Sequence, residues 1–439
     1  MEENYSVNFF RITYIFVLLN FQVICLEDAS AQISPPPQPT SGPGGSTYLH
    51  QSVTKNKYGT GGTAFWIYEP NDPKPDSANF IVFNHGWGAL NPACYGKWIE
   101  HLVRKGNVVV FPKWQFDLNT LPQFFTPNSA ASIKTAVDTL SKGNHVIPRF
   151  YNTAYIGYSF GGVISSNLAI LADSFGIPPP KALLVCNGGN GNTGGAELPG
   201  YSNMPDIKLL IIAGQNDVVV ADTFGRMLFD SSVLVNPLFK NHLTTYFDGH
   251  GFPSIESTHN EPLSWDSAYY SWDFFDNNWV VNASYGVSKT DAVDFFCYWK
   301  LSDAITDCAF YGINCNYAFC NTDEQKFMGI WTDQQPIKEL FVEAKTSCLQ
   351  TGISKSPSDG QIIIFPNPNS GKFEIQFPEV YIQKIDIVNS LGKTVFQKYF
   401  PKGISKNISM ELPELLPGIY YLKINPEEGL RVKKLFVSR

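Results

Sequence analysis

Short apolar runs alternate with segments of helical periodicity through the middle of the chain. The apolar runs, which predict buried strands, are residues 64–68, 80–84, 108–111, 154–156, 182–186, 209–213 and 242–247. Between them, residues 98–105, 128–140 and 163–171 carry apolar side chains at helical spacing. This alternation predicts a mostly parallel sheet with helices on both faces over residues 48–345.

The pattern changes after Lys345. A polar stretch at 346–360 predicts a linker, and residues 361–439 then show short strands of period two, separated by Gly, Pro and Asn turns. This texture predicts a small all-β sandwich as a second domain.

The N-terminal region has an apolar run at 12–26, followed by the small-residue motif Ala29-Ser30-Ala31. The run is too short and too interrupted to predict a transmembrane helix. It predicts a secretory signal peptide at 1–31, with a buried apolar segment as the alternative. Proline and glycine then predict a linker at 32–47.

Charge and cysteine content narrow the function classes. A net charge of -7 without basic clusters argues against a nucleic-acid partner. Export permits disulfides, and Cys308 and Cys315 are close enough in sequence to close a small loop, although spacing leaves the connectivity open. A zinc site is the alternative for this cysteine-rich region, but no histidine follows His259 and no C-x-x-C occurs. No metal site is therefore predicted.

The pentapeptide 157–161, Gly-Tyr-Ser-Phe-Gly, follows an apolar strand and opens a helix. In such a strand–turn–helix context the backbone passes through a strained turn that exposes the Ser159 hydroxyl. Gly157 and Gly161 remove the Cβ atoms that would collide with strand and helix. The segment therefore predicts a nucleophilic serine, with the helix N-terminus facing a developing oxyanion.

This element order, with the pentapeptide on about the fifth strand, resembles the α/β-hydrolase fold over about residues 50–345. The resemblance implies an acid and then a histidine after later strands. Asp217 ends the run 212–217, where its carboxylate is expected to orient the histidine. A turn aspartate that caps the next helix is the alternative for Asp217.

Two histidines, His250 and His259, follow the last predicted strand. The pattern H-G-x-P at 250–253 with a second histidine downstream resembles a subgroup of secreted bacterial hydrolases related to lipases and polyester hydrolases. The resemblance implies that His259 completes the triad, with His250 as a wall residue. Spacing alone leaves His250 as the alternative base.

The oxyanion hole is expected to combine the Phe160 N–H with an N–H from a loop after an early strand. The loop 85–88, His-Gly-Trp-Gly, resembles that turn of the fold, and it makes the Trp87 N–H the second donor. His85 is interpreted as a structural histidine beneath the hole.

The C-terminal strands carry motifs that resemble the C-terminal sorting domain of type IX secretion cargo of Bacteroidota. These motifs lie at 362–368, 371–373, 385–388, 391–395, 416–422 and 432–437. The resemblance implies interaction with the type IX machinery, passage through the outer membrane, removal of the domain, and release or attachment to surface lipopolysaccharide. A structural or carbohydrate-binding sandwich is the alternative.

Together these features predict a secreted serine esterase that cleaves a small or polymeric carboxylic ester through an acyl-enzyme. This chemistry requires no metal and no organic cofactor. A serine peptidase or amidase of the same fold is one alternative. A non-catalytic surface-binding protein on a hydrolase scaffold is another.

Overall fold

The computed structural model describes residues 32–191, 193–344, 363–376, 382–389, 393–404, 407–412, 414–426 and 431–438. The chain divides into two compact units, Met1–Ser347 and Cys348–Arg439. The predicted signal peptide at 1–31 and the predicted linker at 346–360 lie outside the described residues. Within the described ranges, no helix is both long enough and apolar enough to cross a membrane.

The first unit is built on a nine-stranded mixed sheet of order β1-β2-β4-β3-β5-β6-β7-β8-β9. The six strands from β4 to β8 in that order are parallel, and β1, β2 and β9 pair antiparallel at the two edges. The strands are β1 Ser52–Tyr58, β2 Phe65–Asn71, β3 Ser77–Asn84, β4 Asn107–Pro112, β5 Ile147–Tyr158, β6 Ala182–Cys186, β7 Lys208–Gly214, β8 Lys240–Thr245 and β9 Phe341–Ala344.

Helices cover both faces of this sheet, as the sequence predicts. They are α1 Gly96–Arg104, α2 Phe125–Leu140, α3 Phe160–Phe175, α4 Thr223–Ser231, α5 Trp279–Val287, α6 Trp299–Tyr311, α7 Cys315–Ala318 and α8 Asp323–Lys326. Successive strand residues point to opposite faces, so Ile81 and Phe83 of β3 pack in the cluster with α1 and α6. Phe80 and Val82 pack in the other cluster, with α2, α3 and α4.

The segment predicted as a Pro/Gly-rich linker packs against the rest of the first unit. The Gly44 N–H donates to Asp303 Oδ2 at 2.8 Å, and the Ser34 N–H donates to Thr332 Oγ1 at 2.9 Å. Residues 43–45 are buried. Residues 32–47 therefore make specific contacts with the first unit.

The second unit consists of two antiparallel sheets, β10-β11-β14 and β13-β12-β15-β16. Both sheets contribute apolar side chains to one buried cluster, with Phe373 and Ile408 from the first sheet and Ile385 and Leu422 from the second. The strands are β10 Ile363–Phe365, β11 Lys372–Gln376, β12 Ile382–Asn389, β13 Thr394–Ile404, β14 Ile408–Glu411, β15 Gly418–Pro426 and β16 Arg431–Val437.

Candidate active site

Ser159 lies at the sharp turn between β5 and α3. Its backbone has φ 54° and ψ -125°, a conformation that L residues rarely adopt and that costs about 1–3 kcal/mol. The glycines on either side allow the close approach of strand and helix. A Cβ on Gly157 would lie against the Gly161 carbonyl, and one on Gly161 would lie against the carbonyls of Asn84 and His85 at the end of β3.

Three side chains from three different loops form one hydrogen-bonded chain. His259 Nε2 is 3.0 Å from Ser159 Oγ, and His259 Nδ1 is 2.7 Å from Asp217 Oδ2. Asp217 follows β7, and His259 lies in the loop after β8. All three are at least nine-tenths buried. The carboxyl ends of the parallel strands β5, β7 and β8 thus bring together residues that are far apart in sequence.

The histidine loop is held by backbone and side-chain contacts to the neighbouring strand ends. Asn187, which follows β6, donates from Nδ2 to the carbonyls of Thr258 and His259, each at 3.1 Å. The Asn216 N–H donates to the Ser257 carbonyl at 3.0 Å. Asn187 begins the glycine-rich loop 187–195, and its position one residue after a buried parallel strand is a sequence signal for a place beside the site.

Residues 86–89 form a turn beside Ser159. The Ala89 N–H donates to the Gly86 carbonyl at 3.1 Å, and Gly88 has φ +74°, the value that a type II turn requires at its third residue. The Gly86 N–H donates to Tyr95 Oη at 2.9 Å, and the Gly88 N–H donates to Gln115 Oε1 at 2.8 Å.

The two predicted oxyanion donors differ from these engaged amides. Across the described part of the chain, the N–H groups of Trp87 and Phe160 donate no hydrogen bond. Both residues line the same cleft as Ser159 and His259. Two backbone donors next to a serine hydroxyl are suited to stabilise negative charge on a substrate oxygen.

The cleft in front of Ser159 has a volume of about 330 Å³, near the lower end of the range for small-molecule sites. Helix α5 supplies one wall through Trp279, Val280, Ala283 and Val287. The rings of Trp279 and Trp87 pack edge to face, with 6.4 Å between their centroids. This helix was not predicted from the sequence. Its signal is Asn278, an N-cap residue directly before an apolar run.

The other histidines lie elsewhere. His250 Nε2 is 2.7 Å from Asp333 Oδ2 at a partly exposed position, and it is outside the cleft lining. His242 in β8 is 2.7 Å from Asp222 Oδ1. His85 is fully buried and stacks on Trp114, with 4.3 Å between the ring centroids. Burial lowers the pKa of His85 to about 4, so its ring is neutral near pH 7.

A carboxyl group lies two residues from His259. Burial, and then the nearby Asp291, raise the pKa of Glu261 to about 7. Its Oε1 accepts a hydrogen bond from Thr258 Oγ1 at 2.9 Å. The site therefore contains a carboxyl group, two residues from His259, that changes charge close to neutral pH.

The cysteines are partly paired. Cys308 and Cys315 form a disulfide, Cys320 is also disulfide-bonded, and Cys94, Cys186 and Cys297 are free and buried. In the residues that the structure describes, no group of three or more His, Cys, Asp or Glu side chains is arranged to hold a metal ion.

Residues 363–438 match the family described as the secretion system C-terminal sorting domain. This match assigns the chain to export by the type IX secretion system of Bacteroidota, to the cell surface or the extracellular space, and it implies interaction with that machinery. No curated protein matches the chain.

Proposed function

We propose that this chain is an exported serine hydrolase of the α/β-hydrolase fold that cleaves carboxylic esters. The observation that carries the proposal is the hydrogen-bonded chain from Asp217 through His259 to Ser159. Its placement supports the same conclusion, since the serine follows β5, the acid follows β7 and the histidine follows β8 of a largely parallel sheet.

In the proposed reaction, Ser159 Oγ attacks the ester carbonyl while His259 Nε2 takes the hydroxyl proton. Asp217 accepts a hydrogen bond from His259 Nδ1–H, which keeps Nε2 unprotonated and stabilises the imidazolium that forms. The N–H groups of Trp87 and Phe160 stabilise the negative oxygen of the tetrahedral intermediate. His259 then protonates the departing alcohol, and water, deprotonated by the same imidazole, releases the acid from the acyl-enzyme.

The cleft favours an uncharged apolar substrate. Apolar side chains of α5 and of Leu263 form much of its lining, and burial of apolar surface stabilises a bound acyl or aromatic group by about 25 cal/mol per Å². Two exposed aromatic residues precede α5 in sequence, Trp272 at 88% exposure and Phe274 at 81% exposure. A small apolar ester, or an ester group of a polymer presented at an apolar surface, fits both features.

The destination of the enzyme follows from its sorting domain, whereas its final attachment is a proposal. We propose that the domain is removed after export and that the mature enzyme is released or bound to surface lipopolysaccharide. Mass analysis of the enzyme recovered from culture medium and from the outer membrane distinguishes these two fates.

The proposed function is tested with purified protein on p-nitrophenyl esters beside peptide and amide substrates. Ester turnover is expected, and Ser159→Ala and His259→Ala should each lower it by roughly 10³- to 10⁶-fold while the fold is retained. His250→Ala is the matched control and should lose less than about tenfold.

Each alternative has its own result in this assay. Faster cleavage of amides than of esters would identify a peptidase or amidase. Absence of turnover, together with absence of Ser159 labelling by a fluorophosphonate, would favour a binding protein.

A further inference from the structure

Helix α5 lines the cleft and also contacts the turn at residues 86–89, which carries the Trp87 N–H. Asn278, the N-cap of α5, donates from Nδ2 to the Gly88 carbonyl at 2.8 Å. Its Oδ1 accepts hydrogen bonds from the N–H groups of Val280 at 2.7 Å and Val281 at 3.2 Å. Because these two amides require an acceptor, they fix the orientation of the Asn278 amide so that its NH₂ group faces Gly88.

Gly88 is held from three directions. Asn278 binds its carbonyl, Gln115 accepts its N–H at 2.8 Å, and a Cβ at this position would lie 2.7 Å from Val280 Cγ2 and 2.8 Å from Leu118 Cδ2. The residue has little freedom to move relative to α5. Any displacement of Gly88 also rotates the preceding peptide units, since the turn is closed by the bond from Ala89 to Gly86.

The Trp87 N–H is thus the one amide of residues 86–89 that donates to no group in the described structure. The Gly86, Gly88 and Ala89 amides are all engaged. An oxyanion donor acts only within about 2.7–3.1 Å of the developing charge. The direction of the Trp87 N–H therefore depends on how Gly88 is held.

We propose that Asn278 is a positioning residue that ties the Trp87 oxyanion donor to helix α5, the apolar wall of the cleft. The proposal rests on the proposed function. One helix then contacts the apolar part of the substrate through Trp279, Val280, Ala283 and Val287, and aligns the donor through its N-cap. Contacts made by the substrate with this wall should consequently appear in kcat as well as in KM.

Two substitutions remove the link to Gly88 and retain the cap. Asn278→Asp and Asn278→Ser both keep an oxygen for the N–H groups of Val280 and Val281, since Asp, Asn and Ser cap helices about equally well. The ionised carboxylate introduced by Asn278→Asp has no proton to donate to the Gly88 carbonyl, and the serine hydroxyl introduced by Asn278→Ser is too short to reach it. Asn282→Asp is the matched control for the added charge, because Asn282 is exposed on the same helix and lies outside the cleft lining.

We expect Asn278→Asp and Asn278→Ser to lower kcat on a soluble p-nitrophenyl ester by about 10- to 100-fold, with KM changed less than about threefold. The rate of Ser159 labelling by a fluorophosphonate should fall in parallel, since phosphonylation uses the same donors. Melting temperature should change by less than about 3 °C. Asn282→Asp should match the unsubstituted enzyme in all three measurements.

The proposal is overturned if both Asn278 variants keep kcat and the labelling rate within threefold of the parent. It is also overturned if the loss in kcat is accompanied by an equal loss at Asn282→Asp, or if it tracks a fall in melting temperature. A parent enzyme that shows neither ester turnover nor Ser159 labelling refutes the proposed function itself, and the positioning role with it.

Discussion

The structure predicts that Asp217→Asn lowers turnover while the protein stays folded. Asp217 Oδ1 accepts the N–H groups of Val219 at 2.9 Å and Val220 at 3.1 Å, while Oδ2 faces His259 Nδ1 at 2.7 Å. An asparagine must keep its oxygen towards the two backbone amides. Its NH₂ group then faces the His259 ring.

This orientation reverses the tautomer of His259. With an amide donor opposite it, Nδ1 must accept a hydrogen bond, so the proton resides on Nε2, 3.0 Å from Ser159 Oγ. The ring then presents a proton where the reaction needs a base. In a triad this exchange lowers kcat by about 10⁴-fold, which corresponds to ~5 kcal/mol of lost transition-state stabilisation.

The assay compares kcat and KM on a soluble ester with thermal unfolding of the same preparations. Asp217→Asn should lose turnover with little change in melting temperature, because shape and both amide contacts are retained. Asp217→Ala should lose turnover and also unfold at lower temperature, because the N–H groups of Val219 and Val220 lose their acceptor. An Asp217→Asn enzyme that retains more than a tenth of the parent kcat would refute the tautomer argument.

Three further predictions address stability and export. Glu261 has a pKa of about 7 against an ordinary 4.5, so the folded state binds more protons than the unfolded state between these values, and stability falls as pH rises through them. The free energy of unfolding of Glu261→Gln relative to the parent, measured in urea, should therefore be about 2 kcal/mol higher at pH 8 than at pH 5. An equal difference between variant and parent at both pH values contradicts this. Gly161→Ala should lower the free energy of unfolding by at least about 2 kcal/mol, because the new Cβ meets the carbonyls of Asn84 and His85 at the end of β3. Gly286→Ala, with open space around the new Cβ, should be neutral or stabilising, and calorimetry of both variants tests this. Removal of residues 361–439 should leave esterase activity intact but retain the enzyme in the periplasm, and normal surface or medium activity in cell fractionation would count against the role of the sorting domain.

Features with a local physical cause were predictable from the sequence. Strand β6 was predicted at the bounds observed, Ala182–Cys186, because a strand buried on both faces is apolar throughout. The first half of β5 escaped prediction, because it carries exposed and half-buried residues among the apolar ones. The edge strand β1 was missed for the same reason, since Ser52–Tyr58 is mostly polar and no residue in it is fully buried.

The composition of the site depended on contacts between distant parts of the chain. The resemblance favoured His259 over His250, but spacing left both open. Tertiary contacts that hold the loop, such as those of Asn187, bring His259 to Ser159, 100 residues away in sequence. The bond between Asn278 and Gly88 joins residues 190 positions apart, and no local pattern encodes such a pair.

The sequence by itself thus determined the elements that a short segment must form alone. These are the apolar strands, the glycine-flanked turn at Ser159 and the period-two strands of the second unit. Tertiary structure decided which histidine lies beside the serine, which helix lines the cleft, and how the Pro/Gly segment packs. The physical reason is that the spacing of apolar residues and the conformational freedom of glycine are local properties of a segment, whereas hydrogen-bond partners across loops meet only when the packed sheet brings the strand ends together.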